Sequence, residues 1–123
     1  MKYKTIILDP GHGMSNRKSG QYDPGAVSGG ATEAAIALDW ANELRGILIA
    51  RKRKVIRTRR DAKDPAPVSR RDDIAVSYGG DIMISIHCNS SGANASGSEV
   101  FYRGADDKLL AVKLSAAVSK VLG

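Results

Sequence analysis

The chain contains two histidines, His12 and His87, and each follows a short apolar segment that is typical of a buried strand. A glutamate, Glu33, stands at the start of the first long amphipathic segment. In open α/β sheets, ligands bind in the crevice beyond the carboxyl ends of the strands. A helix that follows a strand begins near this same edge, so two imidazoles and one carboxylate are expected to meet there.

Two imidazoles and one carboxylate form a donor set found in catalytic zinc sites, which use three protein ligands and leave a fourth position open to water. Zn²⁺ in such a site lowers the pKa of bound water to about 7 and promotes attack on an amide or ester carbonyl. The residue pattern alone leaves another interpretation open, in which each histidine hydrogen-bonds locally at the end of its strand. Glu33 is then a carboxylate that interacts favourably with the helix dipole.

The predicted elements alternate between strands and helices along most of the chain. Four strands are expected, at Lys4–Leu8, Val55–Thr58, Asp81–His87 and Glu99–Tyr102. Three helices are expected, one beginning after Thr32 and two at Val68–Tyr78 and Asp107–Leu122. The order β-α-β-α-β-β-α predicts an α/β fold with a mostly parallel, twisted sheet and helices on both of its faces.

Polar segments rich in glycine and serine join some of these elements. One runs for about 20 residues between the first strand and Thr32, and a loop of that length in a small domain is usually functional or disordered. A second is expected at Ser90–Ser98. Thr32 and Ser69 are candidate N-caps of the first two helices. Trp40, on the apolar stripe of the first helix, is expected to lie in the core.

The composition is that of one ordinary folded domain. Of the 123 residues, 42% are hydrophobic and 26% are charged, which argues against a disordered chain. Cys88 is the only cysteine, which excludes a disulfide framework and a four-cysteine zinc module; strand alternation beside His87 predicts a core position for it. No apolar run reaches about 20 residues, and no signal sequence with roughly 7–15 apolar residues is visible. We therefore expect no membrane insertion and synthesis in the cytoplasm.

The formal net charge is +6, and seven basic residues crowd into the stretch Arg51–Arg60. A solvated surface is one interpretation of this stretch, and contact with an anionic envelope polymer is another. Nucleic-acid binding is not expected, because aromatic residues make up only 5% of the chain and no glycine–aromatic RNA-binding motif is present.

Several segments, taken in chain order, resemble the zinc-dependent N-acetylmuramoyl-L-alanine amidases of the type 3 family. These segments are Ile7–Gly13 (ILDPGHG), Asp23–Ala26 (DPGA), Thr32-Glu33, Thr58-Arg59, Ile84–Asn89 (ISIHCN) and Gly97–Tyr102 (GSEVFY). Each motif is weak alone, but together they run through nearly the whole chain and are highly specific.

The resemblance implies that Zn²⁺ is held by His12, Glu33 and His87. It also implies hydrolysis of the amide that joins N-acetylmuramic acid to L-alanine of the peptidoglycan stem peptide. Family members act in bacterial cell-wall remodelling, sporulation and phage lysis. The chain is therefore expected to act on the cell wall as an autolysin or endolysin, reaching its substrate after lysis or through a membrane pore.

Asn89, Arg59 and Arg71 are candidate substrate-binding residues. The two arginines can bind a peptide carboxylate through two parallel hydrogen bonds. Internal salt bridges are the alternative for both arginines, with the nearby aspartates of the sequence as partners: Asp61, Asp72 and Asp73.

One departure from the family concerns a glutamate near its last strand that acts in proton transfer. The chain has three glutamates, Glu33, Glu43 and Glu99, and none occupies that position. We therefore expect one domain spanning residues 1–123 that lacks the family's last strand and helix, with its general base unassigned. An unpaired sheet edge would then favour homo-oligomers. The alternative function is a zinc-containing module that binds peptidoglycan without hydrolysing it.

Overall fold

The computed structural model describes residues 2–14, 21–89 and 96–122, which fall into two units, Met1–Ser90 and Ser91–Gly123. The first unit contains strands β1 (Thr5–Pro10), β2 (Val27–Ser28), β3 (Ala31–Thr32), β4 (Lys54–Arg57) and β5 (Ile82–Ile86). It also contains helices α1 (Glu33–Ala50) and α2 (Val68–Ser77). The second unit contains helix α3 (Ala105–Leu122), which begins two residues before its predicted start.

The main sheet of the first unit has three parallel strands in the order β4-β1-β5. Ile6 of the central strand lies opposite Val55 on one side and Ile82 on the other. Parallel neighbours need a crossover connection, and α1 and α2 supply the two that this sheet requires. The predicted α/β class with a parallel sheet is therefore confirmed.

Side chains of β1 alternate between the two faces of the sheet. Ile6 and Leu8 are buried on one face, where they pack with Val55 and with Ala41 of α1. Asp9 alternates with them and faces the other side, where Arg71 of α2 forms an ion pair with it at 2.8 Å. Helices therefore cover both faces of the strand that leads into the first histidine.

Helix α1 begins where the sequence predicts. The Thr32 hydroxyl oxygen accepts a hydrogen bond from the backbone N–H of Ala35 at 3.2 Å, so Thr32 is the N-cap. Helix α2 differs, because Pro67 occupies its N-cap position and no side chain caps it. The prediction for Ser69 is therefore wrong: the helix begins at Val68, directly after Pro67, and Ser69 already lies inside it.

The buried face of α1 is made of small residues rather than of its largest one. Ala37 and Ala41 are fully buried, and Leu44 and Leu48 pack against the core beside them. Trp40 is 43% exposed, so its predicted core position is wrong. Each helical residue turns by roughly 100°, which places Trp40 at the margin of the Ala37–Ala41 face. The alanines allow the helix to approach the sheet closely.

The predicted strand at Glu99–Tyr102 does not form among the described residues, and Phe101 in this segment is 84% exposed. A strand is defined by hydrogen bonds to a neighbouring strand, and no described segment pairs with these residues. Of the predicted loop at Ser90–Ser98, residues 90–95 lie outside the described part of the chain. None of the described helices has both the length and the apolar character needed to cross a membrane.

Candidate metal centre

The three candidate metal ligands lie at the carboxyl edge of the parallel sheet. His12 follows β1 by two residues, His87 comes directly after β5, and Glu33 is the first residue of α1. The backbone N–H of Gly11 donates to the carbonyl of Ile86 at 2.9 Å, which joins the ends of β1 and β5. The topology therefore brings together side chains that are up to 75 residues apart, the separation of the two histidines (87 − 12).

One ligand atom from each of these residues lies within 4.8 Å of the other two. Nε2 of His12 is 3.1 Å from one carboxylate oxygen of Glu33, and Nδ1 of His87 is 3.1 Å from the other. The Glu33 side chain is 6% exposed, whereas that of His87 is 46% exposed. The centre is therefore closed beneath Glu33 and open on the side of His87.

Two backbone N–H groups hold the Glu33 carboxylate in place. Ala26 donates to Oε2 at 3.0 Å and Cys88 donates to Oε1 at 2.8 Å. Burial, the largest influence, raises the pKa of Glu33, but these two hydrogen bonds and the neighbouring histidines together lower that pKa below its ordinary value of 4.5. Glu33 is therefore ionised at neutral pH, which is the form that binds a metal.

Asp23 orients the first histidine. Its Oδ2 lies 2.9 Å from Nδ1 of His12, and its Oδ1 accepts from the backbone N–H of Gly25 at 2.9 Å. A paired carboxylate keeps a proton on Nδ1, so Nε2 presents its lone pair towards Glu33 and the centre. Asp23 lies within the DPGA motif, but the sequence alone assigned it no role. A carboxylate directly before a Pro-Gly pair is the signal that could have identified it.

The donor set fits Zn²⁺. Two neutral imidazoles and one carboxylate match the ligands of catalytic zinc sites, their donor atoms converge, and a carboxylate supports one histidine from behind, as at known zinc sites. Three protein ligands leave a coordination position for water or substrate.

Cys88 follows His87 directly and is half-buried. Burial, followed by the charge of Glu33, raises the pKa of its thiol, which therefore stays protonated at neutral pH.

The candidate substrate-binding residues lie in different surroundings. Asn89 is exposed, two residues beyond His87. Arg59 is fully buried and Arg71 is 5% exposed, and both contact backbone carbonyls beneath the His12 loop. The carboxylate that Arg71 contacts is Asp9 of β1, a partner that sequence reasoning missed. Glu43 is exposed in the middle of α1, away from the three candidate metal ligands at the carboxyl edge of the sheet.

The basic stretch Arg51–Arg60 does not form one uniform surface. It begins at the C-cap of α1 and covers a turn, β4 and the three residues that follow β4, and several of its side chains are engaged locally. Arg53 donates to the carbonyl of Tyr3, and Arg57 donates to the side chain of Asn42. With these contacts and the full burial of Arg59, the stretch does not form a continuous solvated basic surface.

A methyl group at Gly25 is expected to disturb the centre directly. Gly25 has a φ of +67°, and a Cβ there would lie 2.6 Å from Cδ2 of His12 and 2.7 Å from Oε2 of Glu33. We expect Gly25→Ala to weaken zinc binding by about tenfold or more, as loss of supporting contacts around a metal does. Competition with a chromophoric chelator measures the affinity.

Gly46→Ala in the interior of α1 is the matched control for Gly25→Ala. A Cβ at Gly46 meets nothing within 4 Å, so zinc affinity should be unchanged. Alanine should raise helix stability by about 0.5–1 kcal/mol. Equal zinc affinities for the Gly25→Ala and parent proteins would contradict the arrangement described for Glu33 and His12.

Comparison with known proteins links this chain to cell-wall amidases. The sequence model of one protein family, described as N-acetylmuramoyl-L-alanine amidase, matches residues 6–123. The sporulation-specific N-acetylmuramoyl-L-alanine amidase of Bacillus subtilis (strain 168) is 33% identical over 97 residues, which are 78% of this chain and 35% of that protein. A probable cell wall amidase, LytH, of Staphylococcus saprophyticus is 36% identical over 124 residues, covering 98% of this chain and 38% of LytH.

A solved structure shows the same fold. The catalytic domain of CwlV, an N-acetylmuramoyl-L-alanine amidase from Bacillus (Paenibacillus) polymyxa var. colistinus, superimposes with a TM-score of 0.80 at 30% identity. The match covers 95% of this chain and 63% of the CwlV chain. The present chain thus spans little more than a third of the two curated relatives and about two thirds of this catalytic domain.

Proposed function

Since this chain belongs to the N-acetylmuramoyl-L-alanine amidase family, we propose that it binds Zn²⁺ through His12, Glu33 and His87. We further propose that it hydrolyses the amide bond between N-acetylmuramic acid and L-alanine in peptidoglycan, and so acts at the cell wall. The observation that carries this proposal is the convergence of the three ligand atoms within 4.8 Å of one another, at the carboxyl edge of the sheet.

The residues of the centre have separate tasks in this reaction. Zn²⁺ bound there would act as a Lewis acid that polarises the scissile carbonyl. Asp23 holds the proton on Nδ1 of His12, which leaves Nε2 free to bind the metal. Glu33, fixed by two backbone N–H groups, supplies negative charge at a buried position. The exposed side of His87 leaves a path for a large polymer to approach.

Hydrolysis of this amide also requires a proton for the alanine nitrogen as the C–N bond breaks. Among the described residues at the centre, the carboxylates that contact the histidines are Glu33 and Asp23. Glu33 is a proposed metal ligand and Asp23 holds His12, so neither is assigned as the general acid or base. This arrangement is the observation that favours a second candidate function, a zinc-containing module that binds peptidoglycan without cleaving it.

Digestion of purified peptidoglycan tests the first candidate against the second. The amidase proposal expects new N-terminal L-alanine to appear, to disappear when a chelator removes the metal, and to return when Zn²⁺ is added. Release that persists at full rate in the chelator would contradict zinc dependence. Retention of the protein on peptidoglycan with no L-alanine released would support the binding module.

A further inference from the structure

Three consecutive backbone carbonyls, those of Pro10, Gly11 and His12, accept hydrogen bonds from two arginines. Arg59 donates through Nε to Pro10 at 3.0 Å and through Nη2 to Gly11 at 2.8 Å. Arg71 donates through Nη1 to Pro10 at 2.8 Å and through Nη2 to His12 at 2.6 Å. The whole backbone turn that carries the first histidine is thus bound from beneath by guanidinium groups.

Arg59 also connects this turn to the second metal-ligating element. Its Nη2 donates to the carbonyl of Ala34 at 2.7 Å as well as to that of Gly11. Ala34 follows Glu33 in the first turn of α1. One guanidinium group therefore sets the distance between the loop that carries His12 and the helix end that carries Glu33.

The turn requires such support because its backbone conformation is unfavourable. His12 has a φ of +62°, in the left-handed region of backbone conformation that residues other than glycine rarely adopt. Such a conformation is strained and persists only where its surroundings impose it. The hydrogen bond from Arg71 to the His12 carbonyl acts directly on this residue.

The two arginines are built into the interior rather than presented to a ligand. Arg59 is fully buried, and Arg71 is 5% exposed. Burial of two guanidinium groups is costly unless they are hydrogen-bonded and paired, and Asp9 forms the ion pair with Arg71. Asp9 in turn accepts hydrogen bonds from the hydroxyls of Thr58 at 2.6 Å and Ser85 at 2.7 Å.

We propose that Arg59 and Arg71 are positioning residues for the metal centre, which hold His12 and Glu33 at the separation that a shared ion requires, and that they do not bind substrate carboxylates. This inference rests on the proposed zinc site. Lysine cannot reproduce these contacts, because its three N–H donors radiate from one nitrogen, whereas the donors of arginine lie on separate nitrogens of a rigid planar group and reach carbonyls that are spaced apart.

Arg59→Lys and Arg71→Lys test the proposal, with Arg60→Lys as the matched control. Arg60 is a neighbour in sequence, but its side chain is 73% exposed and pairs with Asp64. We expect zinc affinity to fall by about 10- to 100-fold in the first two variants and to be unchanged in the control. We also expect an altered visible spectrum of bound Co²⁺, with KM for a muropeptide within about twofold of the parent value at saturating metal.

The outcomes separate this inference from the zinc proposal on which it rests. A raised KM with unchanged zinc affinity and an unchanged Co²⁺ spectrum would overturn the positioning role and assign the arginines to substrate. If the parent protein bound no zinc, the metal site and this inference would both fail. Unchanged affinity in the variants of a zinc-binding parent would overturn this inference alone.

A measurement on the parent protein covers the case in which the lysine variants do not fold. The side-chain Nε–H resonances of Arg59 and Arg71 are expected to shift when Zn²⁺ is added, because the loop they hold then tightens on the ion. They are expected to remain unchanged when a muropeptide is added to the zinc-loaded protein. The reverse pattern would show substrate contact and overturn the proposal.

Discussion

His12→Ala and His87→Ala proteins are expected to lose tight zinc binding, by at least about a hundredfold each. Binding free energies of about 10–16 kcal/mol at four-ligand zinc sites correspond to roughly 3 kcal/mol for each ligand, and every 1.4 kcal/mol is about tenfold in affinity. Zinc content after dialysis against a weak chelator, followed by a competition titration, measures the loss. Release of L-alanine from peptidoglycan should fall with the bound metal.

The fold should survive these substitutions, because both histidines lie at the edge of the sheet and not in its core. Glu33 retains its hydrogen bonds from Ala26 and Cys88 after either change. Tyr78→Ala is a suitable control, since it removes a ring from a 52% exposed position that follows α2. Undiminished zinc in both histidine variants would refute the site.

Asp9→Asn is expected to lower the free energy of unfolding by about 3–5 kcal/mol, the usual cost of removing one partner from a buried ion pair. Asp9 is 5% exposed and is the ion-pair partner of Arg71, which is equally buried. Arg59 lies close enough that the charge of Arg71 contributes, after burial, to lowering its pKa. Neutralising Asp9 therefore leaves two adjacent buried cations without their nearby anion. Urea denaturation of the parent and variant proteins measures the difference.

Asp64→Asn is the matched control for this change in stability. Asp64 also pairs with an arginine, Arg60, but that side chain is 73% exposed. Exposed pairs contribute up to about 1 kcal/mol, so a loss within that range is expected. If Asp9→Asn were as mild as this control, the cluster beneath the His12 loop would not carry the energetic role that its burial indicates.

The convergence of the three proposed metal ligands could be predicted because it depends on chain order alone. Parallel strands place their carboxyl ends at one edge of the sheet, so residues that follow β1 and β5 had to lie near the start of α1. The role of Thr32 as the N-cap of α1 could also be predicted, since an N-cap is a local contact between residues three positions apart. These inferences need no knowledge of how side chains pack.

The residues that hold the proposed ligands in place could not be predicted from chain order. Asp23 is separated from His12 by a sequence without hydrophobic periodicity, and backbone hydrogen bonds between Gly13 and Asp23 accompany the contact between the two side chains. For Arg59 and Arg71 the sequence allowed two interpretations, binding of a substrate carboxylate or internal salt bridges with nearby aspartates, and neither includes the backbone carbonyls that they contact. Their partners include backbone carbonyls of the His12 loop, between 48 and 61 residues away, together with Ala34 for Arg59 and Asp9 for Arg71.

The α/β class, the parallel arrangement of the sheet and the convergence of two imidazoles with one carboxylate could all be inferred from the sequence. These follow from periodicity, from local caps and from the rule that orients parallel strands. The tertiary structure alone decided which charged groups are buried beneath the centre and which side chain of α1 faces the sheet. Such choices depend on the shape of the space between packed elements, where Ala37 and Ala41 fit and Trp40 does not.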